Sequence, residues 1–338
     1  MKTALLHYWL TNVRGGEKVL AALGEMLPEA DLFTHAYFVE GMNGMFAGRR
    51  VAESCIARLP FGRKHPQMYL PLMPSASRMW RFDGYDLIVS SESGPVKGIR
   101  KPKDARHVCY CHTPMRYIWD MHDEYYRSAG LVGRIAMKLF TGYLRREDLK
   151  SAESVDAFVA NSVFVAERIR RIYGREAAVV HPPVDVDFYG AAERAERDYY
   201  LFVGARVKYK RLDLAEAACR RMGRRLVVAG GGTVSDEELR ALYAGAKALI
   251  FPGIEDFGIV PVEAQAAGTP VIAFGCGGAL ETVVSGKTGL FFPEQTVDSL
   301  CAAIEEFEGA SWCDSPCRMN ARRFSPEAFR EGMSKIIF

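Results

Sequence analysis

The sequence lacks a hydrophobic run long enough to cross a membrane. A helix that spans a bilayer needs about 20 consecutive apolar residues, and no stretch of the 338 residues approaches that length. Residues 1–12 contain one lysine and a short apolar run that His7 interrupts, and no small-residue cleavage site follows. We therefore expect this stretch to form a strand and not a signal peptide.

The eight cysteines lack the spacing of a zinc site. Cys109 and Cys111 stand directly before His112 in an apolar stretch, but no second ligand pair follows at zinc spacing, and Cys313 and Cys317 are equally isolated. Reduced thiols of a cytoplasmic protein are the simpler interpretation. The sequence also has no internal repeat or low-complexity tract.

The first glycine turn does not have the G-x-G-x-x-G pattern, which argues against a nicotinamide-dependent enzyme. A predicted strand, residues 3–9, is followed by Gly15-Gly16 and a predicted helix over residues 17–27. Glycine lets backbone amides approach a phosphate closely, and a helix start favours an anion. Gly15 and Gly16 are therefore candidate phosphate-binding residues.

Length and charge set the broad organisation. A chain of 338 residues exceeds what one hydrophobic core usually holds, so two domains are expected. Residues 1–198 carry 28 Lys and Arg against 24 Asp and Glu, whereas residues 199–338 carry 16 against 17. The basic excess favours an anionic partner such as a membrane face or a phosphate-bearing acceptor, although a mixed solvated surface explains it equally well.

The most informative stretch is residues 252–282, PGIEDFGIVPVEAQAAGTPVIAFGCGGALET. Apolar patterning predicts a strand before it, a helix over residues 259–267 and a second strand over residues 269–274, which together form a parallel βαβ unit. Ligands of open α/β sheets bind at the loops that follow such strands.

The loop and helix of this unit carry the candidate ligands. Glu255 is expected in the loop and Glu263 in the helix, where carboxylates accept hydrogen bonds from sugar or ribose hydroxyls. The amides around Phe257, Gly258 and Ile259 are placed to meet a phosphate. An acidic loop followed by a solvated helix glutamate is the alternative.

The same stretch resembles the donor-sugar motif of retaining glycosyltransferases of family 4, through E-x7-E with an internal F-G, then A-G-x-P-V and G-G-x-x-E. The resemblance implies the GT-B fold, an α/β architecture of two Rossmann-like domains that face each other across a cleft. Residues 1–190 would form the acceptor-side domain and residues 191–325 the nucleotide-sugar domain. Residues 326–338 would form a helix that crosses back to the first domain.

A second motif, HTPMRY, begins at His112, directly after a strand predicted over residues 106–111. A lone histidine is more often structural, but one at the end of a parallel strand often points into a cleft. H-T-P-x-R-Y resembles a signature of mannosyltransferase-like members of family 4, which implies that His112 hydrogen-bonds the transferred sugar. The family also implies that Gly15-Gly16 contacts the donor diphosphate.

Arg206 and Lys210 follow a strand predicted over residues 199–203. Cations in a water-poor cleft stabilise a departing diphosphate, and family 4 uses an Arg just after this strand and a Lys a few residues later. Lys210 matches the Lys, whereas Ala205 occupies the usual Arg position and Arg206 stands one residue late. A solvated basic turn is the alternative.

Two other features bear on the architecture. After a strand predicted over residues 225–229, Gly230-Gly231-Gly232 leads into a helix start at residues 233–238, without the helix and strand that the family normally has here. The second domain is therefore either naturally short or lacks a segment. Residues 131–149 predict a core helix with a basic outer face, and residues 58–72 a loop and helix packed on the domain; a membrane or acceptor surface is the alternative for both.

The resemblance implies a retaining transferase that moves a sugar, mannose from GDP-mannose, to a glycan or polyprenyl-diphosphate-linked oligosaccharide. We expect no metal, no other cofactor and no nucleic-acid partner, and a cytoplasmic location with peripheral contact at the inner face of the membrane. Two alternatives remain: a nucleotide-sugar-binding or scaffolding protein with a degraded site, and a sugar-nucleotide epimerase of the same fold.

Overall fold

A computed structural model describes residues 1–193, 197–230 and 234–338. The chain divides into two compact units: unit 1 comprises Met1–Val180 and Ile336–Phe338, and unit 2 comprises His181–Lys335. The boundary expected after residue 190 thus lies about ten residues beyond the observed division. Of residues 326–338, only Ile336–Phe338 group with unit 1.

Unit 1 is built on a seven-stranded parallel sheet. Its strands are β1 (Thr3–His7), β2 (Asp31–Thr34), β3 (Val51–Glu53), β4 (Leu87–Glu92), β5 (Arg106–Cys111), β6 (Ala157–Ala160) and β7 (Ala177–Val179), in the order β3-β2-β1-β4-β5-β6-β7. Its helices are α1 (Gly15–Met26), α2 (Met73–Ser77), α3 (His122–Ser128), α4 (Leu131–Glu153) and α5 (Val163–Tyr173). The strand order reverses direction between β1 and β4, so the loops after these two strands leave on opposite sides and open a crevice.

Unit 2 has a five-stranded parallel sheet in the order β12-β11-β10-β8-β9. The strands are β8 (Tyr199–Val203), β9 (Leu226–Ala229), β10 (Ala246–Phe251), β11 (Val271–Phe274) and β12 (Gly289–Phe292). The helices are α6 (Val186–Gly190), α7 (Leu212–Arg221), α8 (Asp236–Gly245), α9 (Ile259–Ala266), α10 (Ala279–Thr282), α11 (Val297–Gly309), α12 (Asp314–Ala321) and α13 (Pro326–Ile337). Here the order reverses between β8 and β10.

Most predicted elements are confirmed, with shorter strands than the apolar patterns suggested. The sequence patterns did not predict six elements, each of eight residues or fewer: β3, α2, α3, α6, α10 and α12. The predicted cap of α8 is confirmed at Ser235, whose hydroxyl accepts from the Glu238 amide at 3.1 Å while the Glu238 carboxylate accepts from the Ser235 amide. This reciprocal pair satisfies two amides that the helix start leaves without partners. Gly231, Gly232 and Thr233 of the same predicted turn lie outside the described residues.

The prediction that residues 131–149 form a core helix is wrong for its first half. The helix is present as α4, but the side chains of Leu131, Ile135 and Leu139 are 77%, 53% and 68% exposed. The buried side of α4 is formed by Leu144, Asp148 and Ala152 instead. Hydrophobic periodicity identifies an apolar stripe on a helix but does not show which part of the protein covers it. In α4 the polar residue Asp148 faces the protein because its carboxylate has buried partners.

Residues 58–72 are only partly packed on unit 1. Tyr69 and Leu70 pack against the cluster around Ile56, whereas the side chains of Phe61 and Met68 are largely exposed. Within the part of the chain that the structure describes, no helix combines the length and hydropathy needed to span a membrane.

Candidate functional site

In unit 1, the crevice between β1 and β4 is lined by polar side chains. His7 ends β1, Ser91 lies near the carboxyl end of β4, and His112 directly follows the neighbouring strand β5. The predicted position of His112 at a strand end is confirmed. Since parallel strands present their carboxyl ends at the same edge of the sheet, these side chains meet there.

A continuous set of hydrogen bonds joins these groups. Ser91 Oγ lies 2.8 Å from His112 Nε2 and 3.2 Å from His7 Nδ1, and His7 Nε2 lies 3.4 Å from Glu17 Oε1. The other oxygen of Glu17 accepts from the Arg14 amide at 2.9 Å, at the start of α1. Burial by itself would raise the pKa of Glu17, but the hydrogen bonds from His7 and from backbone amides at the helix start outweigh it and lower that pKa.

Gly15 and Gly16 form the first turn of α1, directly beside His112. A methyl group added at Gly16 would lie 3.6 Å from His112 Nε2 and 3.5 Å from the Tyr8 hydroxyl. The structure thus brings the predicted phosphate-binding glycines next to the predicted sugar-binding histidine. Helix starts present unpaired amides that favour an anion.

Unit 1 also buries a second polar cluster. The Lys97 ammonium pairs with the carboxylates of Glu92 and Asp148, and Asp148 also accepts from Trp119 Nε1 at 2.7 Å and from the Tyr173 hydroxyl at 2.9 Å. Burial raises the pKa of Glu92 to about 7, with Lys97 opposing and Asp148 adding to that shift. The two carboxylates raise the pKa of Lys97 in spite of its burial, so the ammonium stays charged.

The cysteines beside His112 are buried thiols. Burial raises the pKa of both Cys109 and Cys111, which disfavours the thiolate that a metal would need. In the described parts of the chain, no group of three or more His, Cys, Asp and Glu side chains is arranged to hold a metal ion.

In unit 2, the corresponding crevice lies between β8 and β10 and holds an ion pair. Lys210 follows β8, Glu255 follows β10, and Lys210 Nζ lies 3.0 Å from Glu255 Oε1. Both side chains are mostly shielded but remain accessible, at 16% and 21% exposure. The structure thus brings together two residues 45 positions apart that the sequence analysis selected separately.

Glycines allow the backbone around this pair to pack closely. A methyl group at Gly204 would meet the Lys210 side chain at 2.8 Å, and one at Gly253 would meet the Lys210 Cα at the same distance. Gly278 packs directly on Phe257, where an added methyl would lie 2.2 Å from the carbonyl oxygen. The Gly278 amide also donates to the Glu255 carbonyl at 2.9 Å, which fixes the loop that carries this carboxylate.

Three other predicted residues of the 252–282 stretch, Phe257, Gly258 and Ile259, lie at the start of α9. Gly258, in the left-handed region with φ 89°, is the N-cap of α9, and no side chain caps the amides of the first turn at Ile259. Phe257 is buried and its ring packs against His181 and Phe324, so the ring is not available to a ligand.

Glu263 lies inside α9 as predicted, but it is largely buried. Its carboxylate accepts from the Tyr243 hydroxyl at 2.8 Å. Burial and the charge of Glu263 raise the pKa of Tyr243, so that hydroxyl remains a donor. A ligand that binds Glu263 would therefore hydrogen-bond to a carboxylate that already accepts from Tyr243 inside unit 2.

Arg206 lies apart from the Lys210–Glu255 pair. Its side chain is 73% exposed, and its guanidinium is 3.9 Å from the Glu216 carboxylate on α7. The structure thus does not bring Arg206 onto the ion pair that its neighbour Lys210 forms.

Sequence reasoning missed several residues that hold these sites. His7, Glu17 and Ser91 carry no motif, and only their strand-end and helix-start positions link them to His112. His181 was also missed, although its Nε2 lies 3.0 Å from Glu281 of the G-G-x-x-E motif and its ring packs on Phe257. The histidine immediately before Pro182-Pro183 was the available signal.

Comparison with known proteins places the chain among glycosyltransferases. Residues 13–188, a little over half of the chain, match the model of Glycosyltransferase Family 4, and residues 231–323 match that of Glycosyl transferases group 1. A D-inositol 3-phosphate glycosyltransferase of Mycobacteroides abscessus is 27% identical over 197 residues, which are 46% of this chain and 44% of that protein. The counterpart from Mycobacterium tuberculosis strain F11 is 28% identical over 196 residues, covering 45% of this chain and 41% of that protein. The chain spans less than half the length of these curated relatives.

Solved structures agree over almost the whole chain. Sucrose-phosphate synthase from Thermosynechococcus elongatus superposes with a TM-score of 0.72 at 18% identity, covering 99% of this chain and 98% of that one. Anabaena HepE, solved in complex with UDP, gives a TM-score of 0.70 at 15% identity and covers 99% of both chains. At these identities the likeness shows the fold alone, and that fold is GT-B. Two parallel α/β units and a family model that matches more than half of the residues lead to one assignment: the chain belongs to glycosyltransferase family 4.

Proposed function

We propose that this chain transfers a sugar, with retention of anomeric configuration, from a nucleotide-sugar donor to a glycan or lipid-linked acceptor. The observation that carries the proposal is the Lys210–Glu255 pair at the switch point of the unit 2 sheet. The Lys210 ammonium and the Glu255 carboxylate lie at the same edge of the sheet. An ammonium binds phosphate and a carboxylate binds hydroxyls, so the pair suits the diphosphate and the sugar of a nucleotide sugar.

Each residue has a distinct role in this proposal. Lys210 stabilises the negative charge that develops on the leaving diphosphate, and the amides at Gly15-Gly16 and at Gly258-Ile259 bind phosphate oxygens. Glu255 accepts hydrogen bonds from the donor sugar, Glu263 from the ribose, and His112 binds the transferred sugar. The family route, front-face attack assisted by the leaving phosphate, needs no enzymatic nucleophile. Neither a metal nor another cofactor enters it.

GDP-mannose is the proposed donor, and a polyprenyl-diphosphate-linked oligosaccharide of surface-polysaccharide synthesis is the proposed acceptor. The support is the HTPMRY motif, which resembles that of mannosyltransferase-like family members. The test is release of nucleoside diphosphate from a panel of GDP-, UDP-, ADP- and dTDP-sugars. Turnover of another donor with GDP-mannose inert would refute the choice of GDP-mannose and leave the transferase proposal intact.

The exposed half of α4 supports a peripheral membrane location. Between Tyr125 and Arg146 the chain has five cations and no acidic residue: Arg127, Arg134, Lys138, Arg145 and Arg146. Three large apolar side chains project between them, at Leu131, Ile135 and Leu139. Apolar side chains flanked by cations are typical of helices that lie in an anionic lipid interface, where each nearby cation contributes about 1 kcal/mol. We propose that an anionic phospholipid surface binds this face of α4.

This surface is tested by sedimentation with vesicles of phosphatidylcholine alone and of phosphatidylcholine with phosphatidylglycerol. Binding is expected only to the anionic vesicles, and a variant with Leu131, Ile135 and Leu139 replaced by Ser is expected to lose it. Met319→Ser, at an exposed apolar side chain of unit 2, is the control. No binding to vesicles, together with a dimer that the triple variant converts to monomer, would show that a second copy occupies the surface instead.

A nucleotide-sugar-binding protein with a degraded site is the second candidate. The observation that favours it is the exposed position of Arg206, away from Lys210. It predicts nucleotide binding by calorimetry without release of diphosphate from any donor, even with candidate acceptors present.

A further inference from the structure

The hydrogen-bonded set in unit 1 contains one hydroxyl between two imidazole rings. Ser91 Oγ lies within hydrogen-bond distance of His7 Nδ1 and of His112 Nε2. A hydroxyl has a single proton, so it donates to one ring nitrogen and accepts from the other. The direction of these two bonds therefore depends on which nitrogen of His7 carries a proton.

Glu17 sets that direction. Its carboxylate only accepts, so His7 Nε2 must carry the proton that faces Glu17 Oε1. In neutral His7 the opposite nitrogen, Nδ1, then has no proton and accepts from the Ser91 hydroxyl. Ser91 Oγ in turn accepts, and the proton it accepts is on His112 Nε2.

We propose that Glu17, His7 and Ser91 are positioning residues that hold His112 in the tautomer with its proton on Nε2. His112 Nδ1 is thereby an acceptor, suited to a sugar hydroxyl that donates to it. The tautomer stands on the hydrogen-bond geometry of unit 1 alone. Its use in sugar recognition rests on the proposed function.

Burial keeps this arrangement closed to water. The His7 and Ser91 residues are 0% exposed and Glu17 is 2% exposed, so solvent does not supply competing donors. Glu17 is held in place by the Arg14 amide at the start of α1, where the helix dipole also favours its negative charge. The same helix start brings Gly16 against His112. A ligand bound at the amides of α1 would thus lie beside a histidine of fixed tautomer.

Glu17→Gln tests the proposal because it is isosteric and reverses the donor pattern. The Arg14 amide needs an acceptor, so the carboxamide oxygen faces it and the NH₂ group donates to His7 Nε2. His7 then carries its proton on Nδ1 and donates to Ser91. Ser91 donates to His112 Nε2, and the proton of His112 moves to Nδ1.

The measurement is long-range ¹H–¹⁵N correlation NMR of the full chain labelled in its histidines, with the His112 signals assigned from the spectrum of His112→Asn. The wild type is expected to show the Nε2–H tautomer at His112, and Glu17→Gln the Nδ1–H tautomer. Adding Ser91→Ala to Glu17→Gln removes the hydroxyl that links His7 to His112, so the change of the His112 tautomer should disappear. The matched control is Ser90→Ala, since Ser90 makes an equivalent bond to His107, at 2.9 Å, and leaves His112 untouched.

The Nδ1–H tautomer at His112 in the folded wild type would overturn the proposal. An unchanged tautomer in folded Glu17→Gln would do the same. With the donor that the panel identifies, Glu17→Gln is expected to lower kcat/KM about tenfold, as for the loss of one hydrogen bond, while Ser90→Ala stays near wild type. Silence with every donor, even with candidate acceptors present, combined with a reversed tautomer in Glu17→Gln, would refute the proposed function and leave this inference standing.

Discussion

The two units use the same sheet geometry to present opposite chemistry. In unit 1, β1 and β4 at the reversal of strand order and the neighbouring β5 carry or lead to two imidazoles and a hydroxyl, which a buried carboxylate organises. In unit 2, the equivalent strands lead to an accessible ion pair between Lys210 and Glu255, framed by glycines. Sheet topology decides where a ligand binds, and the few side chains after the strands decide what it is.

The two units also differ in their number of histidines and in whether their ion pairs are buried or exposed. Unit 1 contains six of the seven histidines and buries the Glu92–Lys97–Asp148 cluster, whereas unit 2 contains only His181. Ion pairs of unit 2 such as Arg225–Asp198 lie at the surface. A buried charge cluster is costly to break and a surface pair is not, so the two units should respond differently to similar substitutions.

The largest effect is expected from Lys97→Met in unit 1. Removing the ammonium leaves the carboxylates of Glu92 and Asp148 buried together, and the free energy of unfolding should fall by about 3–5 kcal/mol. Urea unfolding at neutral pH measures this change. In unit 2, Arg225→Met is the contrast and should cost less than about 1 kcal/mol. Equal losses in the two variants would contradict the distinction between the units.

Turnover should depend most strongly on Lys210. Lys210→Ala is expected to lower kcat about 100- to 1,000-fold, because the charge on the leaving diphosphate then lacks its cation. Initial rates with the donor from the panel give the comparison. Lys208→Ala, in the same turn but exposed, is the matched control. If both variants lost activity equally, general basicity of the turn and not the Lys210–Glu255 geometry would be responsible.

Acid should destabilise unit 1 through His35. Burial lowers the pKa of His35 to about 4, against a hydrogen bond to the Pro95 carbonyl that raises it. Between pH 6.5 and about 4 the unfolded chain therefore binds a proton that the folded chain excludes, so stability falls as pH falls through this window. Each pH unit costs up to about 1.4 kcal/mol from this group.

Unfolding of wild type and His35→Gln in urea from pH 7 to pH 4 isolates that contribution, because other titrating groups are common to both. The variant should be less stable at pH 7 but lose about 2–3 kcal/mol less on acidification. Parallel pH dependences for the two proteins would show that His35 is protonated as readily in the folded state as in the unfolded one.

The smallest effects separate the glycines of the two sites. Gly278→Ala should destabilise unit 2 by about 1–3 kcal/mol, since the new methyl group would lie 2.2 Å from the Phe257 carbonyl oxygen. Gly16→Ala places its methyl group at ordinary contact distances, 3.5 Å and beyond, and should leave stability within about 0.5 kcal/mol of wild type. Thermal unfolding compares them, and a larger loss for Gly16→Ala would argue against this packing.

Local patterns were sufficient to predict the fold class. The bounds of β5 and β8 follow directly from apolar runs, and the strand–helix alternation predicts parallel α/β units. GT-B itself is what the resemblance of E-x7-E to the family 4 motif implied. The same patterns placed Glu255 in a loop, Glu263 in a helix and His112 at a strand end. These are properties of a few neighbouring residues, which is why a sequence can carry them.

What the tertiary structure decided is which distant residues meet and which face is covered. No local signal joins Glu17 to His7 and Ser91, or Lys97 to Asp148, because strand order sets those neighbours. The apolar stripe of α4 has the same period whether it is buried or exposed. Only the folded structure shows that its first half faces solvent while Leu144, Asp148 and Ala152 face the protein. The sequence by itself thus determined the elements, the family resemblance and the candidate residues. The partners of those residues depend on contacts between segments far apart in the chain, and only the folded protein specifies them.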